Sequence, residues 1–434
     1  MTEPDLISLA PALILAAGAA ITWLLASTGR VGGRALQWLG TAASIAAAAT
    51  AIAIGPATAS GGTVARDGAS LFFIVLIGVV AAPSVALGRD QVALVLFSAA
   101  GAVVVVSAAD LMVLFVGLAL LTVPTYALTA RRSVQRGDDG ATRHFLLGAA
   151  STAMAVYGFA LLYAATGETS YLGLGRATHN PLYLGGLGLA FAGLAYHLVL
   201  APAQRWSVVV NVATVGALLR LVAVTRRGEV ALDWEVSLAV VAAVGLVVAG
   251  LAALTERRLR RLVAYATISQ LGYVFLAAAG SSAPAAAFAI ASYAAVSIGL
   301  FAVLAALPSD EPVLDDLAGL ARQRPLLVLG LGVVVLGLVG VPPTMGFLAR
   351  LYVFEVAVRA QLLWLMVLGA LATVVSVASY ARLVLACLAP PRLDAIAPPR
   401  ARLATAVVLL TALAIVSLGV FPGPVLEAAQ AVRF

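Results

Sequence analysis

The chain has 434 residues, 63% of them hydrophobic and only 10% charged, with a mean hydropathy of +1.08. That composition excludes a water-soluble domain and points to helices that cross a bilayer in apolar runs of about 20 residues. The net charge of +7 comes from arginines at the ends of apolar runs, which is a pattern of membrane topology and not of nucleic-acid binding.

The N-terminus, Met1-Thr2-Glu3-Pro4-Asp5, has no basic region before its apolar run. It is a poor signal peptide, so Leu6 to Ala26 reads as a retained first span. Further apolar runs follow at about 36–55, 70–88, 91–109, 111–130, 144–165, 182–203, 207–225, 232–254, 262–280, 284–307, 325–357, 361–388 and 403–421. The expected fold is an all-α polytopic membrane protein of about fourteen transmembrane helices, forming a single transmembrane domain over 1–434. Two spans are interrupted by proline: the seventh at Pro202, and the twelfth at Pro342 and Pro343, which remove backbone donors within the membrane. Spans 4–8 (about 91–225) and 9–13 (about 232–388) therefore read as two inverted five-helix repeats. Their broken fourth members point to an ion path near the breaks. Residues 1–90 and 403–421 supply the flanking spans.

Arginine position sets the orientation. Four arginines lie within Arg257–Arg261, too many to bury in hydrocarbon, so they mark the cytoplasmic surface. Seventeen arginines fall on that side and six on the other, while Arg220, Arg350 and Arg382 remain within spans. Both termini are then expected outside, in a multi-pass protein of a bacterial inner membrane. All 26 basic residues are arginine, so a buried proton relay in this chain cannot use lysine. The one cysteine, Cys387, excludes an internal disulfide, and there is no clustered set of metal ligands.

Several stretches resemble one known family. The run Arg260-Arg261-Leu262-Val263-Ala264-Tyr265-Ala266-Thr267-Ile268-Ser269-Gln270-Leu271-Gly272-Tyr273 resembles the K-R-L-L-A-Y-S-S-I-x-x-x-G-Y signature of the antiporter-like membrane subunits of respiratory complex I (NADH:quinone oxidoreductase). Within that group, Leu9 to Ala16, Leu114 to Tyr126, Arg143 to Ala149, and Leu317 to Leu320 with Val341 to Phe347 are similar to the subunit N (NuoN) type. The resemblance implies a proton-translocating membrane-arm subunit beside other membrane-arm subunits and the lipid bilayer. It implies no cofactor in this chain and no catalytic redox residue; NADH, flavin, iron–sulfur clusters and quinone belong to the whole complex. Two alternatives stay open: a cation/proton antiporter or membrane hydrogenase subunit of the same fold, and a structural subunit that has lost transport.

The chain departs from the family where the family carries charge. Ala119 stands where the family has a glutamate, and His197, Asn211 and Arg350 stand at its lysine positions. The segment that follows the seventh-span break in the family is missing after Trp206. The resemblance thus implies a depleted charged axis. The candidate proton path comprises His197, Arg350, Gln270, Asn211, Arg143 and Glu355. His197 is either a relay, since an unperturbed imidazole titrates near pH about 6.5, or a neutral hydrogen-bonded group. Arg350 can hold carbonyls freed at the break, pair with Glu355, or fix the local field. Arg143 also fits a surface role, and Asp110 fits a helix cap. Tyr265, Ser269, Gln270 and Tyr273 are expected to face neighbouring helices.

Overall fold

The computed structural model describes residues 7–56, 62–88, 91–136, 139–175, 181–200, 204–226, 234–307, 309, 311–390 and 402–433. Helix occupies all fourteen apolar runs, because a chain in hydrocarbon must satisfy its backbone groups within each segment. In chain order the helices are α1 (Ala10–Ser27), α2 (Gly33–Ile54), α3 (Gly68–Ala86), α4 (Val92–Ser107), α5 (Leu111–Arg136), α6 (Gly140–Thr166), the short α7 (Tyr171–Leu174), α8 (Pro181–Leu200) and α9 (Ser207–Thr225). There follow α10 (Trp234–Thr255), α11 (Leu259–Ala279), α12 (Ala283–Ala306), the short α13 (Leu320–Gln323), α14 (Pro325–Val339), α15 (Met345–Arg359), α16 (Leu363–Leu388), α17 (Arg402–Val420) and α18 (Gly423–Gln430). Among the described residues, twelve of them are long and apolar enough to cross a membrane, and α4 and α14 are shorter apolar helices. Among the described residues, extended pairing is limited to isolated bridges such as Arg258 with Val313.

The chain forms two compact units. The first comprises 1–201, 206–234 and 431–434; the second comprises 202–205 and 235–430. The main boundary lies at Trp234.

In the first unit, α6 packs closely on α8. Gly158 lets the two backbones meet: a Cβ there would stand 2.4 Å from the Ala190 nitrogen. Ser151 Oγ donates to the Gly193 carbonyl at 2.7 Å across the same seam. Small residues and interhelical hydrogen bonds of this kind hold helices together where lipid supplies no hydrophobic drive. In the second unit, α11 and α12 are largely buried. Bulky apolar groups on other helices, among them Trp23, Trp38, Leu371, Val374 and Leu410, remain exposed, as a lipid-facing surface requires.

The twelfth span is two helices. Helix α14 ends at Val339, and Gly340 caps it in the left-handed region at φ 80° and ψ 53°. After Pro342 and Pro343, Thr344 caps α15, its Oγ1 accepting from the Phe347 N–H at 3.4 Å. The other expected break, at Pro202, lies outside the described residues; α8 is described to Leu200 and α9 begins at Ser207.

Candidate functional site

The site in the second unit begins with a missing hydrogen. In a continuous helix the Leu338 carbonyl would accept from residue 342, four positions on. That residue is Pro342, which has no N–H. Two side chains take its place. Gln270 Nε2 on α11 donates to the Leu338 oxygen at 2.7 Å, and Arg350 Nη2 on α15 donates to it at 2.5 Å. Both lone pairs of a buried carbonyl are thereby used.

Arg350 is held on other sides as well. Its Cζ lies 4.8 Å from the centroid of the Tyr273 ring, a cation–π contact. The Tyr273 hydroxyl donates to the Gly369 carbonyl at 2.9 Å and lies 2.9 Å from Thr373 Oγ1, so α11 and α16 are tied at the same level. Gly340 packs on the guanidinium; a Cβ there would stand 2.8 Å from Arg350 Cδ. The family-signature helix therefore brings Gln270 and Tyr273 onto the broken helix. Ser269 is buried and Tyr265 half-buried on the same helix. At its start Arg260 is half-buried, while Arg261 is exposed and lies 3.9 Å from Glu256.

Glu355 does not join this cluster. It pairs with Arg359 at 2.5 Å, and nearly half of its side chain is exposed. The reason is helical geometry: residues four apart share a face, whereas five residues turn the helix about 140° beyond a full circle. Arg382 finds carbonyls also. Its Nη2 donates to Ala253 at 2.6 Å and its Nε to Ser379 at 3.1 Å. Ala253 is near the end of α10, where helix carbonyls lack intrahelical donors.

The first unit holds the other candidates. His197 on α8 is buried, with Nε2 3.3 Å from Thr152 Oγ1 on α6. His144 on α6 sits edge-on to Tyr126 and Trp206, with ring centroids 5.5 and 6.0 Å away. Asn211 is buried on α9, Ala119 is half-buried on α5, and Arg143 is exposed, in keeping with a surface role. Asp110 acts as a cap: Oδ1 accepts from the Met112 N–H at 2.7 Å and Oδ2 from the Thr169 hydroxyl at 2.6 Å.

One ion pair, between the buried Arg220 and the half-buried Asp67, was not foreseen. Arg220 grips Asp67 with two hydrogen bonds of 2.8 Å each and donates to Ser70 Oγ at 2.8 Å. Burial alone would raise the Asp67 carboxyl, but Arg220 and the Ser70 N–H and hydroxyl hold it below the usual carboxylate range. The local signal was present, since Asp67-Gly68-Ala69-Ser70 ahead of an apolar run is a helix N-cap pattern. Its partner, 153 residues away, was not. Among the described residues there is no group of three or more His, Cys, Asp or Glu side chains that could hold a metal ion.

A many-helix membrane chain, with a proline-broken span and a buried cation on the freed carbonyl, defines an antiporter-like membrane subunit. Residues 108–376 match the family described as NADH:quinone oxidoreductase/Mrp antiporter, TM, and the chain belongs to that family. It is 32% identical to the NADH-quinone oxidoreductase subunit N of Geobacter metallireducens, with 100% of both chains covered. Among solved structures it is similar to a chain of respiratory complex I from Thermus thermophilus with bound Aureothin. There the TM-score is 0.85 and the identity 31%, covering 97% of this chain and 99% of that one. It also shares its fold with a chain of the Mrp complex from Dietzia sp., at 18% identity and a TM-score of 0.82, covering 99% and 97%.

Proposed function

We propose that the chain is a membrane-arm subunit of a proton-translocating NADH:quinone oxidoreductase and carries a depleted charged axis. The observation that carries this reading is full-length similarity to a subunit N, together with close agreement in fold with a complex I chain at 31% identity. The chain counts as part of an enzyme only as a member of that complex. NADH, flavin, iron–sulfur clusters and quinone belong to other subunits, and this chain serves translocation or its coupling. It sits in a bacterial inner membrane with both termini outside, an orientation supported by the arginine bias. The two expected five-helix repeats remain part of this reading.

Within the chain, each unit holds one set of the proposed proton-path groups. His197 with Thr152 is the titratable set of the first unit. Gln270, Arg350 and Tyr273 form the fixed polar set of the second. Arg350 keeps its proton, so it supplies a positive field and does not shuttle. A structural subunit that has lost transport is the second reading. It is favoured by Ala119 in place of a carboxylate and by Arg350 engaged with a backbone carbonyl.

Proton uptake per NADH oxidised, measured in proteoliposomes of the assembled complex, separates the two. On the first reading, Ala119→Glu combined with His197→Lys raises the yield, and His197→Ala lowers it. A native complex at full stoichiometry that is unaffected by His197→Ala would remove His197 from the path.

A further inference from the structure

A cavity of about 540 Å³ lies in the first unit, between the end of α1, the starts of α2 and α4, and the C-terminal part of α5. Its wall is largely apolar, with Trp23 from α1, Leu36 from α2, and Val92 and Leu94 from α4. One charged side chain lines it, that of Arg131 on α5. Arg131 is exposed and has no hydrogen-bond or ion-pair partner among the described residues. No carboxylate among the described residues lines the cavity. Arg30, between α1 and α2, and Arg34, in the first turn of α2, are exposed at the same end of the unit.

The backbone around the cavity is unbalanced in one direction. The carbonyls at the end of α1 are used: Ser27 Oγ donates to Leu24 at 2.7 Å and Thr28 Oγ1 to Leu25 at 2.8 Å. Thr22, on the cavity wall, donates to the Gly18 carbonyl of its own helix at 2.8 Å. The first turns of α2 and α4 are different. Neither has a side-chain cap at its N-cap residue, Gly32 or Gln91. The N–H groups of Gly33, Val92 and Ala93, all cavity-lining residues, have no acceptor among the described residues. An unpaired guanidinium and two uncapped helix starts around one cavity complement a negative charge.

A free inorganic anion would answer the charge and leave the apolar wall bare. An apolar helix of another chain would cover the wall and leave Arg131 unpaired. The occupant that meets both demands joins an anionic oxygen head to an apolar tail. Phospholipid does so, and it is the solvent at this depth: tryptophans such as Trp23 sit at headgroup level, and basic pockets between membrane helices accept acidic headgroups.

We propose that this cavity holds one acidic phospholipid, its phosphate against Arg131 and the first turns of α2 and α4, and an acyl chain along Trp23, Leu36 and Leu94. The lipid ties the flanking helices α1 and α2 to α4 and α5. The site is independent of whether the chain translocates protons.

The full-length chain in non-ionic detergent is titrated with phosphatidylglycerol or with phosphatidylcholine of the same acyl chains, and bound lipid is counted by native mass spectrometry. One phosphatidylglycerol should bind saturably, with phosphatidylcholine about tenfold weaker or more. Arg131→Gln should raise the half-saturating phosphatidylglycerol concentration by a similar factor. Arg322→Gln, an exposed arginine of the second unit, should leave it unchanged. Ala26→Trp fills the cavity from an exposed position and should remove the tight copy. The proposal fails if the two lipids bind alike, if Arg131→Gln titrates like Arg322→Gln, or if Ala26→Trp keeps the tight copy. Displacement of the lipid by millimolar inorganic phosphate would make the cavity a free-anion site and overturn the lipid assignment. Should Ala26→Trp not fold, the comparison of Arg131→Gln with Arg322→Gln decides alone.

Discussion

Gly340→Ala is the sharpest perturbation of the broken span. Gly340 adopts φ 80° and ψ 53°, a left-handed conformation that costs an L-residue about 1–2 kcal/mol. The added methyl would also meet Arg350: 2.8 Å from Cδ, 3.0 Å from Nη1 and 3.1 Å from Nε. The side chain must move, and its 2.5 Å hydrogen bond to the buried Leu338 carbonyl is stretched or lost, at about 1–3 kcal/mol. The two effects together predict a loss of about 2–5 kcal/mol. Gly332→Ala, on the same helix, is the matched control, because nothing lies within 4 Å of its Cβ position. It should be neutral or stabilise by up to about 1 kcal/mol. Both variants can be unfolded in mixed detergent micelles, with the buried Cys387 thiol as reporter in the same unit. If Gly340→Ala falls within about 0.5 kcal/mol of Gly332→Ala, the account of the break is wrong.

Two further outcomes concern the first unit. The Asp67–Arg220 pair should make unfolding acid-sensitive: Asp67 is held below its ordinary range, so its contribution is complete above the unfolded value of about 4 and is lost as pH falls through the folded value. Asp67→Ala should destabilise by about 2–4 kcal/mol at neutral pH and flatten that acid limb; fluorescence of Trp234, bonded through Nε1 to Thr225 on the helix that carries Arg220, reports it. An unchanged limb in the variant would show that other carboxylates control it. Gly158→Ala should cost about 1–3 kcal/mol by forcing α6 from α8, whereas Gly188→Ala, with open space around it, should not. Equal stabilities for these two variants would contradict the close seam.

The helical character and order of the apolar runs were legible because hydrophobicity is written along one dimension and lipid tolerates helix almost alone. The twelfth-span break was legible for an equally local reason: Pro342 and Pro343 have no N–H whatever surrounds them. The role of Asp110 could also be read, since a carboxylate at a helix start has a local use. Glu355 shows the limit of reading a pair from proximity in sequence. A spacing of five from Arg350 and of four to Arg359 already favoured the second partner.

Sequence alone therefore determined the helical membrane architecture, the broken span and the family signature on α11. It also identified Arg220, Arg350 and Arg382 as the charges that needed explaining. Only the tertiary structure decided what they meet: Asp67 for Arg220, the Leu338 carbonyl and Tyr273 for Arg350, and the end of α10 for Arg382. The physical reason is that burying a charge is a local cost, visible in any apolar run. Its compensation comes from groups up to 153 residues away, which only packing brings within hydrogen-bond reach.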